Sequence, residues 1–408
     1  MTISFDPSHD GRLIQLNEQN TSEHIFTLFS EHKPPVNQNL GYISRTTRTL
    51  PILISVQASL ISELGSKSSP QPTSEESPAT TKKQRRALNR RRQSGIPLES
   101  IALQFEIQQS LELLNSHQER STTGAVLWQI TPLFAEWVLT PGTVFHDLLF
   151  SRPESGLAVI EIGAGTSGVL ACALSLPLFA YHDDDSKAGC YIATDQLHIL
   201  PLLKKNVANN ISVIQEMTGR LLRRANATPY ISVTIAEHDK NSENGTVEGN
   251  KRHNMRRNVT SSHELHKPHS RGLHSSENER DRPRIEVFEL DWEHAKTDVK
   301  YIRDSLWTFG DDHTVAKKDF DIVIACDTVY NDFLIVPFVN TLKLLAGEDT
   351  HIVVGMQVRS HEVQEAFLTE AQSNGLDVWH VLPQHLSERM QSGFAIYYFR
   401  RSQNRRSP

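Results

Sequence analysis

The sequence predicts an α/β fold: a largely parallel sheet covered by helices on both faces and ended by an antiparallel strand pair. Three observations predict it. Short apolar runs alternate with longer amphipathic stretches from about residue 157 to residue 373, and such alternation calls for a parallel sheet with both faces covered. One strand-to-helix transition carries three closely spaced glycines, Gly163, Gly165 and Gly168. The last two apolar runs, near 378–381 and 395–399, have no strong helical pattern between them.

In order, the expected strands are 157–162, 190–194, 285–290, 321–326 and 351–358, with helices from about 167, over 197–209, near 334–345 and over 361–373. Before them, Leu127, Ile130, Leu133, Phe134, Trp137 and Val138 recur at helical spacing, which predicts a helix packed on the core. Residues 1–65 read as a weakly determined N-terminal extension, helix-like around Ile25, Phe26, Leu28 and Phe29 and alternating as a strand at Leu50, Ile52, Ile54 and Val56. Residues 66–98 turn Ser/Thr/Pro-rich and then basic, ending in KKQRRALNRRR from Lys82 to Arg92. That composition buries too little apolar surface to offset ordering, so a disordered linker is expected. The run also suits nuclear import or a weak RNA contact. Residues 239–282 are polar and histidine-rich, an inserted loop expected to be disordered in a domain spanning 99–402, with a tail at 403–408. Its histidines, among them His253, His263 and His266, have no Cys or carboxylate spacing that makes a metal site.

Composition narrows the function classes. The 408 residues carry a net charge of −6, which argues against a general nucleic-acid-binding surface. Cys172, Cys190 and Cys326 are odd in number and widely spaced, so neither a disulfide framework nor a zinc ribbon is expected. No apolar run of membrane-spanning length and no basic leader appears. The expected setting is the cytosol or the nucleus, with no membrane and no metal partner.

The glycines satisfy G-x-G-x-x-G between a strand and a helix, where backbone comes close to a ligand and free amides face it. A structural turn remains the alternative, and the loop alone does not separate a dinucleotide from S-adenosylmethionine. Asp195, closing the second strand, suits the ribose hydroxyls of either. Glu161 sits two residues before the first glycine, where it attracts a sulfonium and an ammonium and repels a pyrophosphate. It can equally cap backbone amides nearby.

Together with these, TGAVLW (123–128), EIGAGTSG (161–168), TD (194–195), LDW (290–292) and ACDTVYN (325–331) form an ordered set. That set resembles the seven-stranded methyltransferases, and within them the lysine-directed methyltransferase family 16. The resemblance implies a Rossmann-like methyltransferase sheet and S-adenosyl-L-methionine as cofactor. It implies a pocket lined by Trp128, Glu161, Gly163, Ala164, Gly165, Asp195, Trp292 and Cys326. By the same resemblance Asp327 holds the substrate amine and Tyr330 shapes the lysine channel, as the D-x-x-Y pair. DTVYNDFLIVPFVNTLKLL and MQVRSHEV resemble most the fungal branch acting on ribosomal proteins, which implies protein L1 of the 60S subunit as the protein substrate. Physical alternatives stay open. Trp128 and Trp292 can be core residues or offer an indole face to adenine or a sulfonium. Asp327 can cap the next helix near Phe333, and Cys326 reads as a packing residue. A nicotinamide-dependent oxidoreductase and a non-catalytic module of the same fold, acting in ribosome assembly, are the rival functions.

Overall fold

The computed structural model describes residues 5–32, 41–56, 101–115, 123–150, 156–180, 189–222, 232–235, 283–307 and 319–402. The expected linker at 66–98, the insertion at 239–282 and the tail at 403–408 lie outside the described residues.

Five parallel strands form the centre of the main sheet: β4 (Ala158–Ile162), β5 (Cys190–Asp195), β7 (Arg284–Glu289), β8 (Ile322–Cys326) and β9 (His351–Gln357). β10 (Leu376–Val381) and β11 (Phe394–Arg401) follow, and β11 runs antiparallel between β9 and β10. The expected antiparallel end of the sheet is therefore present. β1 (Leu13–Leu16) adds to the β10 edge, antiparallel, and β6 (Ser232–Ile235) adds to the β7 edge, parallel. Among the described residues the order is β1-β10-β11-β9-β8-β4-β5-β7-β6. The seven expected strands thus carry one extra strand at each edge.

Strand alternation divides the interior into two layers. Val159, Tyr191, Ala193, Ile285 and Ile324 face one core with Ile130, Phe134, Leu170 and Leu203. Ile160, Ile162, Ile192, Phe288 and Val323 face the other with Ile302, Phe338, Leu342 and Phe367. Side chains two apart share a face, so nearly continuous apolar strands are what a doubly covered sheet requires.

The N-terminal extension is more integrated than its sequence predicts. Ile25 and Leu28 of the helix Thr21–Glu31 are buried in the second core, and Leu13 pairs with Val381. β2 (Thr49–Val56) pairs with β3 (Ile101–Gln108) in a separate antiparallel ribbon. Its alternation buries Leu50, Ile52, Ile54 and Val56, as the spacing predicts. Asn206 and Asn210, on the helix Leu200–Leu222, fasten β3 from the side. Their amides bond the backbone N–H and C=O of Gln108 and Glu106 at 2.8 to 3.0 Å, which satisfies an edge that would otherwise be open.

In the sheet order β8-β4-β5-β7, each strand's carboxyl end leads into one of the sequence motifs. Connections diverge on either side of β4, and at such a switch point an open α/β sheet leaves a crevice for a ligand.

Candidate active site

β4 ends at Ile162, and Gly163, Gly165 and Gly168 all adopt left-handed φ, at 72°, 62° and 60°. A β-carbon on Gly163 would lie 2.7 Å from Thr328 Cγ2, and one on Gly165 would lie 3.2 Å from the Gly124 carbonyl. Both backbone conformation and space therefore demand glycine there. The loop is held on two sides. Thr166 N–H donates to the Gly124 carbonyl at 2.8 Å, Ala164 N–H to the Thr194 carbonyl at 2.9 Å, and Gly165 N–H to Asp195 Oδ2 at 2.7 Å. Asp195 Oδ1 accepts from Gln196 N–H at 2.8 Å. Burial pushes the Asp195 carboxyl up to about 6, against those two backbone bonds.

Glu161 is 2% exposed. It does not cap a neighbouring loop; its Oε2 accepts from the Tyr191 hydroxyl at 3.0 Å. Burial, with a smaller contribution from the nearby Asp195 charge, pushes its carboxyl up to about 8 despite that bond. A cation arriving beside it favours the ionised form.

Asp327 has φ 58°, the sole positive value of a non-glycine among the described residues, a strained backbone of the kind that gathers at functional sites. Its N–H donates to the Gly355 carbonyl at 2.7 Å. The carboxylate does not cap the following helix: Asn331 does that, its Oδ1 accepting from Leu334 N–H at 3.2 Å. Asp327 instead meets the guanidinium of Arg359, Nη1 donating to Oδ1 at 2.8 Å and Nη2 donating to Oδ2. Arg359 lies in MQVRSHEV, just beyond β9, and sequence reasoning gave it no role. Its signal was a charge directly after an apolar strand at the edge where the other motifs gather.

The same guanidinium stands 4.9 Å above the ring of Trp128, and Tyr42 packs on that indole with centroids 5.0 Å apart. An indole already paired with a cation is poorly placed to receive a sulfonium, which corrects that reading of Trp128. Trp128 Nε1–H donates to the Thr123 carbonyl at 3.0 Å, and Thr123 Oγ1 donates to the Tyr330 hydroxyl at 3.2 Å. Trp292 packs against Phe338, with centroids 5.1 Å apart, and its ring edge borders Gly163. Cys326 is buried, which pushes its thiol far up and leaves it a packing group.

Trp128, Glu161, Gly163, Ala164, Gly165, Asp195, Trp292, Cys326, Asp327 and Tyr330 all line one cavity of about 780 Å³, a size that suits a nucleoside-bearing ligand. Thr328 Oγ1, in the same lining, is buried with no hydrogen-bond partner, an unmet polar group of the sort a ligand satisfies. Among the described residues no group of three or more His, Cys, Asp or Glu is placed to hold a metal ion, and no helix is long and apolar enough to cross a membrane.

A glycine cradle, an acid closing the second strand, a buried acid beneath the cradle and a sheet ended by an antiparallel pair define an S-adenosylmethionine-dependent methyltransferase. Comparison with known proteins narrows this. A family model described as lysine methyltransferase matches residues 277–374. The ribosomal lysine N-methyltransferase 5 of Candida glabrata is 26% identical over 95% of the chain and 98% of that protein. Its namesake from Zygosaccharomyces rouxii is 29% identical over 65% of the chain and 70% of that protein, and that of Lachancea thermotolerans 26% over 88% and 91%. By these matches the chain is similar to the lysine methyltransferase family and to the fungal ribosomal lysine N-methyltransferase 5 proteins.

Proposed function

We propose that the chain methylates the ε-amine of a lysine on another protein, and that this protein is L1 of the large ribosomal subunit. The observation that carries the reading is the meeting of Asp327 and Tyr330 with the glycine cradle in one cavity. An acceptor-holding pair and a cofactor cradle must share a space for an in-line transfer. The substrate's identity is supported by the kinship with ribosomal lysine methyltransferases.

S-adenosyl-L-methionine, when bound, supplies an electrophilic methyl group on a positively charged sulfur. Gly163, Ala164 and Gly165 offer backbone close to it, Asp195 accepts ribose hydroxyls, and Trp292 presents an indole face to adenine. Glu161 lies where its ionised form balances the cofactor's positive charges. Trp128 walls the cavity beside them, and Cys326 closes its floor without reacting. On the acceptor side a free lysine has a pKa of about 10.4, so its amine must shed a proton before it attacks. Asp327 holds and aims the amine, and Tyr330, its hydroxyl tied to Thr123, bounds the channel and keeps out water.

The test is mass spectrometry of ribosomal proteins from cells with and without the enzyme. Loss of one or more methyl groups from an L1 lysine is expected, followed by transfer of labelled methyl to purified L1. An unchanged L1 would remove the named substrate, and no changed lysine on any protein would remove the reaction. A cytosolic or nuclear setting and a contact of the basic run 82–92 with ribosomal RNA belong to the same proposal. The RNA contact is read by salt-dependent RNA binding of the full chain against one lacking that charge.

A further inference from the structure

A carboxylate chosen to hold a lysine amine carries a chemical contradiction. Alone in a poorly solvated site it stabilises the ammonium ion, the form that cannot accept a methyl group. The surroundings of Asp327 resolve it. Its side chain is 1% exposed and that of Arg359 23%, and the two meet in a two-pronged pair.

We propose that Arg359 is a positioning residue that cancels the charge of Asp327, so that the carboxylate aims the substrate amine as a hydrogen-bond acceptor without trapping it as ammonium. The inference rests on the reading of Asp327 as the amine holder. A carboxylate has about four acceptor positions. Oδ1 accepts from Arg359 Nη1 and, at 3.2 Å, from Gln357 N–H, while Oδ2 accepts from Arg359 Nη2. One position remains, on Oδ2, enough for a single amine N–H.

The two terminal nitrogens of the guanidinium are held by further contacts, while Nε is buried with no hydrogen-bond partner. Nη2 also donates to Gln357 Oε1 at 2.7 Å, and the Trp128 ring lies 4.9 Å from its centre. Gly41 presses on it so closely that a β-carbon there would lie 2.6 Å from Nη2. Through Trp128 and Thr123 the same clamp reaches the Tyr330 hydroxyl. Other ionisable groups face the cavity. Glu161 and Cys326 lie on the strands and Tyr330 close after Asp327; Asp195 and Glu289 end β5 and β7, and His198, Asp291, Glu293 and His294 follow those strands, across β4 from Asp327. All are common to the variants below, so differences between variants report the pair.

The probe is n-butylammonium, a lysine side chain without its backbone, titrated by NMR at pH 9 into full-length protein saturated with S-adenosylhomocysteine. Arg359→Gln is expected to bind it on the order of tenfold tighter than wild type, the range of one hydrogen bond to an unbalanced charge. Arg359→Lys, which keeps the charge, should stay close to wild type. Asp327→Asn, which leaves Arg359 unbalanced, should lose binding, and the double variant should lose the gain of Arg359→Gln. Cofactor-product affinity by calorimetry certifies the fold of each variant. Equal binding by wild type and Arg359→Gln, no binding by either, or wild-type binding by Asp327→Asn overturns the inference, and the Asp327→Asn result serves even if Arg359→Gln does not fold. Methyl transfer to protein lysine by the wild type is measured alongside. Its absence beside the expected binding pattern would sink the substrate reading and leave the charge compensation standing. Where transfer occurs, the acid limb of kcat against pH should move to higher pH in Arg359→Gln.

Discussion

Replacing Glu161 by glutamine should change how stability depends on pH far more than it changes the fold. The side chain is 2% exposed, and burial first, then Asp195, push its carboxyl from an ordinary 4.5 up to about 8. Between those values the unfolded chain has released the proton and the native chain keeps it. The native state's advantage is therefore complete below about 4.5 and is lost as pH rises toward about 8. At ~1.4 kcal/mol for each pH unit of that window, the loss is about 5 kcal/mol, a large share of a typical domain's stability. The amide in the variant can still accept from the Tyr191 hydroxyl, which bonds Oε2 at 3.0 Å in the native protein, and it does not titrate. Urea unfolding of the ligand-free proteins at pH 5 and pH 9 should show the variant gaining several kcal/mol on wild type between the two. An equal difference at both pH values would refute the buried-acid account. The same acid makes a prediction for binding: in the wild type, preference for the sulfonium cofactor over its neutral thioether product should grow as pH rises through about 8, and in the variant it should be flat.

Gly165→Arg should abolish cofactor binding by calorimetry, because φ is 62° and the first side-chain atom already meets the Gly124 carbonyl. Asp327→Ala should abolish methyl transfer in a labelled-methyl assay while cofactor affinity stays within a few-fold of wild type. Gly41→Ala, at φ 106°, would place a β-carbon 2.0 Å from Gln357 Oε1 and 2.6 Å from Arg359 Nη2, and should cost on the order of 1–3 kcal/mol in thermal or urea unfolding.

The centre of the fold was legible because β4, β5, β7 and β8 are apolar runs leading into a motif, so Gly163, Asp195, Trp292 and Asp327 fall at one edge from the sequence alone. What escaped was non-local. β1 is four residues whose only strong cue is a partner, Val378–Val381, from the other end of the chain. β6 is equally short. Arg359 looked like an ordinary charge beside a helix start, since nothing local announces that Asp327 will turn its carboxylate 32 residues along the chain toward it. The distance of Glu161 from Gly163 is legible in the sequence, whereas the Tyr191 hydroxyl beside it depends on the register of two neighbouring strands.

The pairing of β1 with β10 also bears on how the molecule is made. Leu13 must wait for Val381, far along the chain, before its strand has a neighbour. Until then the outer edge of the sheet is unformed. Contacts of such long separation close slowly, and domains with exposed apolar segments depend on chaperones meanwhile. Loss of either strand should therefore harm folding through the same missing pair.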